Sequence, residues 1–363
     1  MNINESIAAF RGHKQMLADK GIVLDGVIGY MTPEMKRDYT IARDALPALA
    51  TASNAGIPAY LSMYIDPEAV RVNFAPMEAT SILEEKKQGD WVTDTAMFPV
   101  VESTGEVSSY SDEATNGRAG VNMNFPQRQS YHFQTMKFYG EREMERAALA
   151  RMNLVSELDI ATAEALNRFS NLTYFFGVAG LQNYGFLNDP NLGASLTPGT
   201  KAAGGVKWVL PGGVINATAN EIYADIQAVF YQLTSQTKGL VKAKDKMVFA
   251  CDPGTAVALT ATNSFGVDVY DLLKKNFPNI RFETAVQYAV TSASNPNGIA
   301  GGNLVQLIAE KVAGQNTAFC AFTEKMRSHA IVKETSAFKQ KVTSGTWGSV
   351  VRKPLGFASM LGV

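Results

Sequence analysis

Between residues 154 and 176 the apolar positions Leu154, Leu158, Ala161, Ala165, Phe169, Leu172 and Phe176 recur every three or four residues. That spacing lays them along one face of an α-helix. Asn153 or Ser156 can cap its start and Gly177 can end it. At 1.5 Å per residue such a helix reaches roughly 35 Å, long for a globular protein. The stretch EREMERAALA before it predicts a short amphipathic helix. Further on, Thr218 and Glu221 have capping-box spacing ahead of Ile222, Ile226, Val229, Phe230 and Leu233, and Gly239 closes that helix.

Strand patterns occupy other regions. WVTDTAMFPVV and QSYHFQTMKFYG, within residues 90–140, are rich in β-branched and aromatic residues. Between them runs the polar ESTGEVSSYSDEATNGRAGVNMNFPQRQ, too long for an ordinary connection inside a compact domain. A projecting two-stranded arm fits better. Two strands bury too little to be stable alone in water, so the arm needs a partner subunit. From 214 to 315 helices and strands alternate: MVFAC is a strand, Asp252-Pro253 restarts a helix, DVYDLLKKNF is a helix stopped by Pro278, and NIRFETAV is a strand. This predicts a compact α/β domain, reached through a Gly/Pro/Thr-rich linker at 193–213. Residues 316–363 read as strands again in AFCAFTE, HAIVKE, FKQKVTSG and WGSVVRK. The first 80 residues look unlike an independent domain. Pro33, Pro47, Pro58, Pro67 and Pro76 keep any helix there short, as in a segment that drapes over something else.

Composition narrows the function. The 33 basic and 34 acidic residues nearly cancel, so no overall positive field marks a nucleic-acid binder. A hydrophobic fraction of 46% is that of an ordinary globular chain. Cys251 and Cys320 each lie in an apolar run and read as reduced core residues. The N-terminus lacks a signal-peptide apolar region and no stretch is long enough to span a bilayer, so a cytoplasmic origin is expected.

Candidate chemistry is sparse. His13, His132 and His329 lie far apart, without metal-ligand spacing, and His132 sits in an aromatic strand. Neither a nucleophile-elbow nor a phosphate-loop motif occurs. The Gly-Gly pairs at 204–205, 212–213 and 301–302 suit loop tips, and Asp252 and Asp268 suit helix caps. No catalytic residue, cofactor site or metal site is expected.

The order of parts then carries a resemblance. An arm, a polar hairpin, a long helix, an inserted α/β domain and returning strands together resemble tailed-bacteriophage major capsid proteins of the Hong Kong 97-type fold. Local stretches are similar to one branch of that fold, long known only as a family of unknown function. They are EREMERAALARMNL, YFFGVAGLQNYGFLNDPNL (174–192) and residues 218–283. The resemblance implies an α+β chain with an N-terminal arm (1–80), an E-loop hairpin with flanking strands (90–140) and a P-domain with spine helix (141–213). An α/β A-domain (214–315) and return strands of the P-domain (316–363) complete it. It also implies pentamers and hexamers of this chain forming an icosahedral shell around double-stranded DNA, with portal, scaffolding and cement proteins as further partners. Two rivals stand beside it: an encapsulin-like cellular compartment, and an α/β enzyme with its catalytic domain at 214–315.

Within this frame the arm supplies the candidate site. Glu102, Glu106, Asp112, Glu113, Arg118 and Arg128 are expected to pair charges with a neighbouring subunit. Across 88–136 the outgoing limb is negative and the positive charges fall at the tip and return limb, for a net charge of −4. No lysine lies between Lys87 and Lys137. Some shells of this fold are cross-linked through an arm lysine, so here the resemblance implies non-covalent assembly. Arg11, Lys14, Lys20, Lys36 and Arg37 are candidates for the inner surface, where they meet either a neighbouring acid or DNA. Any DNA contact is expected to be weak and non-specific, since no basic stripe appears.

Overall fold

The computed structural model describes residues 76–363 apart from 114, 151 and 294. Nearly all of the N-terminal arm, with His13 and the basic residues Arg11 to Arg37, lies outside the described residues.

The chain opens with a single helical turn, α1 (Ala79–Ile82), and strand β1 (Glu85–Lys87). Strands β2 (Thr95–Met97), β3 (Val100–Gly105), β4 (Ala119–Asn124), β5 (Gln127–Gln129) and β6 (Tyr131–Gly140) follow. Helices α2 (Glu141–Leu149) and α3 (Leu154–Phe176) come next, then the small hairpin β7 (Val209–Leu210) and β8 (Val214–Ile215). Helix α4 (Ala219–Gln236), strand β9 (Met247–Cys251), the turn α5 (Pro253–Ala256), helix α6 (Val269–Asn276) and strand β10 (Ile280–Thr284) alternate after that. The chain ends in β11 (Leu304–Ala309), β12 (Lys311–Val312), β13 (Gln315–Asn316), β14 (Ala318–Ser328), β15 (Val332–Lys333), β16 (Ala337–Val351) and β17 (Phe357–Leu361).

Two larger sheets form the body, and the other strands pair in twos, β2 with β5, β3 with β4, β7 with β8 and β12 with β13. One sheet runs β1-β14-β16-β15 with β6 also on β16; β1 is parallel to β14 and the other pairs are antiparallel. The other runs β10-β9-β11-β17, with β10 and β9 parallel and β11 antiparallel to both β9 and β17. Every residue of β9 and β11 is buried, because both faces of this sheet are covered. On one face Ile222, Ile226, Val229 and Leu233 of α4 pack on Met247, Phe249, Val305 and Leu307. Burial of each such side chain stabilises the fold by about 1.5–3 kcal/mol. On the other face Val248, Ala250 and Ile308 join Ile82, Tyr174, Phe175, Phe186, Tyr288 and Cys320 in a second core. That core takes side chains from α1, from the end of α3 and from both sheets.

Local signals account for the helix ends. Asn153 Oδ1 accepts from the Ser156 N–H at 3.3 Å, and α3 stops at Gly177, whose φ of 65° favours glycine. A Cβ at Gly177 would also stand 2.1 Å from the Asn183 carbonyl oxygen. Thr218 and Glu221 form the capping box of α4, and Asp252 and Asp268 cap α5 and α6.

Three expectations need correction. The buried positions of α3 are Thr162, Leu166, Asn171, Thr173, Tyr174 and Phe175, whereas Ala161 and Ala165 of the expected face are exposed. Two of the polar members, Asn171 and Thr173, find distant partners. Asn171 Oδ1 accepts from the Ala79 N–H at 3.0 Å, and the Thr173 and Thr346 hydroxyls share a hydrogen bond of 3.1 Å. Residues 193–213 are not a free linker. Leu196 bridges to Met360, Trp208 is 1% exposed in the α4 core, and Lys201 is buried in an ion pair with Asp225. Finally, residues 316–363 do not all return to the first sheet, since β17 adds to the edge of the second beside β11. Its alternate residues Ala358 and Met360 extend the α4 core, which gives that crossing its stability.

Candidate assembly surface

The arm expected at 90–140 is a β-ribbon of β3 and β4, paired from Val100↔Asn124 to Gly105↔Ala119. Apart from residue 114, every residue from 99 to 127 is exposed. Side chains alternate across a strand, and residues directly opposite share a face. One face therefore carries Val101, Ser103 and Gly105 opposite Met123, Val121 and Ala119. The other carries Val100, Glu102 and Thr104 opposite Asn124, Asn122 and Gly120. The first face is apolar in water: Val101, Val121 and Met123 are 54%, 55% and 63% exposed.

Below the ribbon the chain is held firmly. Strands β2 and β5 pair from Thr95↔Gln129 to Met97↔Gln127, and the Phe98 N–H donates to the Pro126 carbonyl at 3.0 Å. The turn after α3 clamps β5: the Gln129 N–H donates to the Gln182 carbonyl at 3.0 Å. The Asn183 amide donates to the carbonyls of Gln129 at 3.1 Å and Thr346 at 3.2 Å. Ala96 and Phe98 pack on Phe319, Ala321, Trp347 and Val350 of the first sheet. The close approach of the turn at Asn183 and Tyr184 to β16 needs Gly348, with a φ of 69° and no room for a Cβ, which would lie 2.4 Å from Asn183 Oδ1.

The six expected contact residues separate into two groups. Glu102 lies on the polar face opposite Asn122. Glu106 stands at the tip, where its N–H donates to the Arg118 carbonyl at 3.1 Å. Asp112 accepts from the Tyr110 hydroxyl at 2.5 Å, which raises the Tyr110 pKa. Glu113 and Arg118 are exposed nearby, and all five are available to a partner. Arg128 is not. It is buried at the ribbon's root, where it pairs with Asp189 and lies 4.7 Å from the Tyr184 ring centroid. Its charge is already satisfied within the chain. Sequence reasoning missed Asp189 as its partner, although Asp189 lies in the GFLNDPNL stretch that carried the resemblance. Lys137, next after the lysine-free stretch, is also occupied, in an ion pair with Asp159 of α3.

Both thiols and the Tyr174 phenol lie in the interior. Cys251 and Cys320 are free and buried. Burial, with Asp252 adding, pushes the Cys251 thiol up to about 12, and burial raises Cys320 well above its ordinary value. Burial and the neighbouring Glu85 carboxylate likewise raise the Tyr174 phenol, which donates to Glu85 at 2.8 Å. Among the described residues no group of three His, Cys, Asp or Glu side chains could hold a metal ion. No helix of the described residues is long and apolar enough to cross a membrane.

Two sheets sharing a core, a long helix against one of them and an exposed ribbon define a mixed helix-and-strand fold matched by phage capsids. The fold aligns with the capsid of Myoviridae phage XM1 at a TM-score of 0.68 and 15% identity, covering 85% of this chain and 100% of that one. It aligns with the capsid of the native GTA particle at 0.58 and 11% identity, covering 87% of this chain and 100% of that one. For the capsid of cyanophage P-SCSP1u the TM-score is 0.54 at 10% identity, with coverage of 87% and 97%. No curated protein matches the chain. Residues 48–362 match the family model of the Pa193 gp26 major capsid protein. The chain belongs to that family and is a tailed-bacteriophage major capsid protein.

Proposed function

We infer that this chain builds the icosahedral head of a tailed phage as pentamers and hexamers in the Hong Kong 97-type arrangement, enclosing double-stranded DNA. The observation that carries this reading is the ribbon, exposed from 99 to 127 and apolar along one face. A two-stranded ribbon is marginal in water, and Val101, Val121 and Met123 gain only when something covers them. A neighbouring copy provides that cover at every position of a closed symmetric shell. In this reading β3 and β4 are the E-loop, α3 is the spine helix of the P-domain, and the second sheet with α4 is the A-domain. Assembly takes place in the bacterial cytoplasm with portal, scaffolding and cement proteins as partners. It is non-covalent, because the ribbon offers no lysine and Lys137 is held by Asp159. Contact with DNA is non-specific and weak, in keeping with the near-cancelling charges. The role is structural and requires no catalysis or cofactor.

Negative-stain microscopy and sedimentation of the purified chain test this reading. Shells or capsomer-sized oligomers are expected, and replacing residues 101–123 by a short turn should leave a folded chain that does not assemble. A wild-type chain that stays a 39.2 kDa monomer across salt and concentration overturns it.

A further inference from the structure

Beside the ribbon's root lies a groove of about 540 Å³ whose walls include Phe98, Pro126 and the end of β16. It carries three cations: Lys86, Arg352 and Lys353. Lys86 pairs with Glu84 at 3.0 Å. Among the described residues neither Arg352 nor Lys353 meets a carboxylate. The Arg352 guanidinium lies 4.8 Å from the Phe319 ring centroid, so an apolar surface backs it. Its position is fixed, since the N–H groups of Arg352 and Lys353 both donate to the Thr317 carbonyl, at 2.9 and 3.0 Å.

The ribbon tip has the opposite balance. Glu106, Asp112 and Glu113 stand there against Arg118 alone, and among the described residues none of the three carboxylates meets a cation. The tip therefore carries two uncompensated negative charges, and the groove two uncompensated positive ones. Within one chain the two sets of charges do not meet among the described residues. Val100 and Val101 form part of the groove wall, and Gly105 lies about 14 Å beyond Val101 along β3 at 3.4 Å per residue. That exceeds the screening length of about 8 Å at physiological ionic strength.

We propose that the Lys86–Arg352–Lys353 groove is the receptor for the acidic ribbon tip of a second copy, with Glu106, Asp112 and Glu113 facing Arg352 and Lys353. The proposal rests on the shell reading and adds to it the place where the ribbon ends. Apolar cover along the strands supplies affinity, and the charges at the far end set the register and reject a misplaced ribbon.

A charge-reversal experiment on the full chain decides it. Arg352→Glu with Lys353→Glu should leave the secondary structure seen by circular dichroism unchanged. It should raise the concentration for half-assembly at least about ten-fold, the effect of losing one good charge pair. Adding Glu106→Lys, Asp112→Lys and Glu113→Lys to the same chain should restore assembly. Separately, a mixture of Asp112→Cys and Arg352→Cys chains should give disulfide-linked dimers on oxidation, with little background because the native cysteines are buried. Wild-type-like assembly of the reversed groove, failure of the second reversal to rescue folded chains, or absence of the cross-link in assembled particles overturns the proposal. A disulfide formed within monomers carrying both cysteines also overturns it. A wild-type chain that never assembles is a separate result, which removes the shell reading and this proposal with it.

Discussion

Arg128 and Asp189 are 61 positions apart in sequence and meet in an ion pair at 7% and 3% exposure, which fixes where the ribbon leaves the body. Asp189 Oδ1 also accepts from the N–H and the side-chain amide of Asn191, each at 3.0 Å, so both carboxylate oxygens are satisfied. Asp189→Ala leaves a buried guanidinium with only the Tyr184 ring beside it. Breaking a buried pair from one side costs about 3–5 kcal/mol. Denaturant titration of the variant should register that loss. A change below about 1 kcal/mol would mean that the pair does not anchor the ribbon.

The segment 193–213 is held to α4 by another buried group. Asp225 accepts from the Trp208 indole N–H at 2.7 Å, from the Gly199 N–H at 3.1 Å and from Lys201. Trp208→Phe keeps most of the apolar volume but removes one donor from a buried carboxylate. The expected cost is about 1–3 kcal/mol, measured by the same titration. Stability equal to wild type would assign Trp208 a packing role alone.

Acid should loosen the start of α4. The Glu221 carboxylate accepts from the N–H groups of Thr218 and Ala202 at 2.8 and 2.6 Å, which lowers its pKa. A lowered folded value means the contribution is complete above the ordinary glutamate range and is lost as pH falls through the folded value. Glu221→Gln should therefore be less stable than wild type at neutral pH and converge with it in acid. Parallel stability curves across that range would refute the assignment.

The two thiols should be silent in the native protein. Burial raises both, so their neutral form is favoured. That contribution is present below the ordinary thiol range and is lost as pH rises towards the folded values, about 12 for Cys251. A thiol reagent at pH 8 should find no reactive group in the folded chain and two in denaturant. Rapid native labelling of either cysteine would contradict the packing of the second core around Cys320, or of the α4 core around Cys251.

The apolar ribbon face should matter only between copies. Val101→Thr, Val121→Thr and Met123→Gln together remove no buried contact within the chain, so its melting should hold within about 0.5 kcal/mol per site. Assembly followed by light scattering should fall sharply. Unchanged assembly would show that this face is not covered in the particle.

Helix ends were legible in the sequence because caps are local: Asn153, Gly177, Thr218 and Glu221 act on residues a few positions away. The ribbon was legible because only a projecting element can hold so long a polar run. The buried face of α3 was not legible. Asn171 and Thr173 look like surface residues until Ala79 and Thr346 arrive from distant parts of the chain. The glycines around 193–213 suggested a linker, although Leu196 and the run Trp208-Val209 argued for burial there. Arg118 and Arg128 look equivalent in the ribbon sequence. They differ only because Asp189 waits beside one of them.

The second core draws Ile82 from α1, Phe175 from α3, Ile308 from one sheet and Cys320 from the other. A body whose layers share that interior cannot flex between them without opening it to water. In the shell proposed above, copies in five-fold and six-fold surroundings would then act as stiff tiles. Differences in local curvature would then fall to the exposed ribbon between those bodies, like grout between bricks.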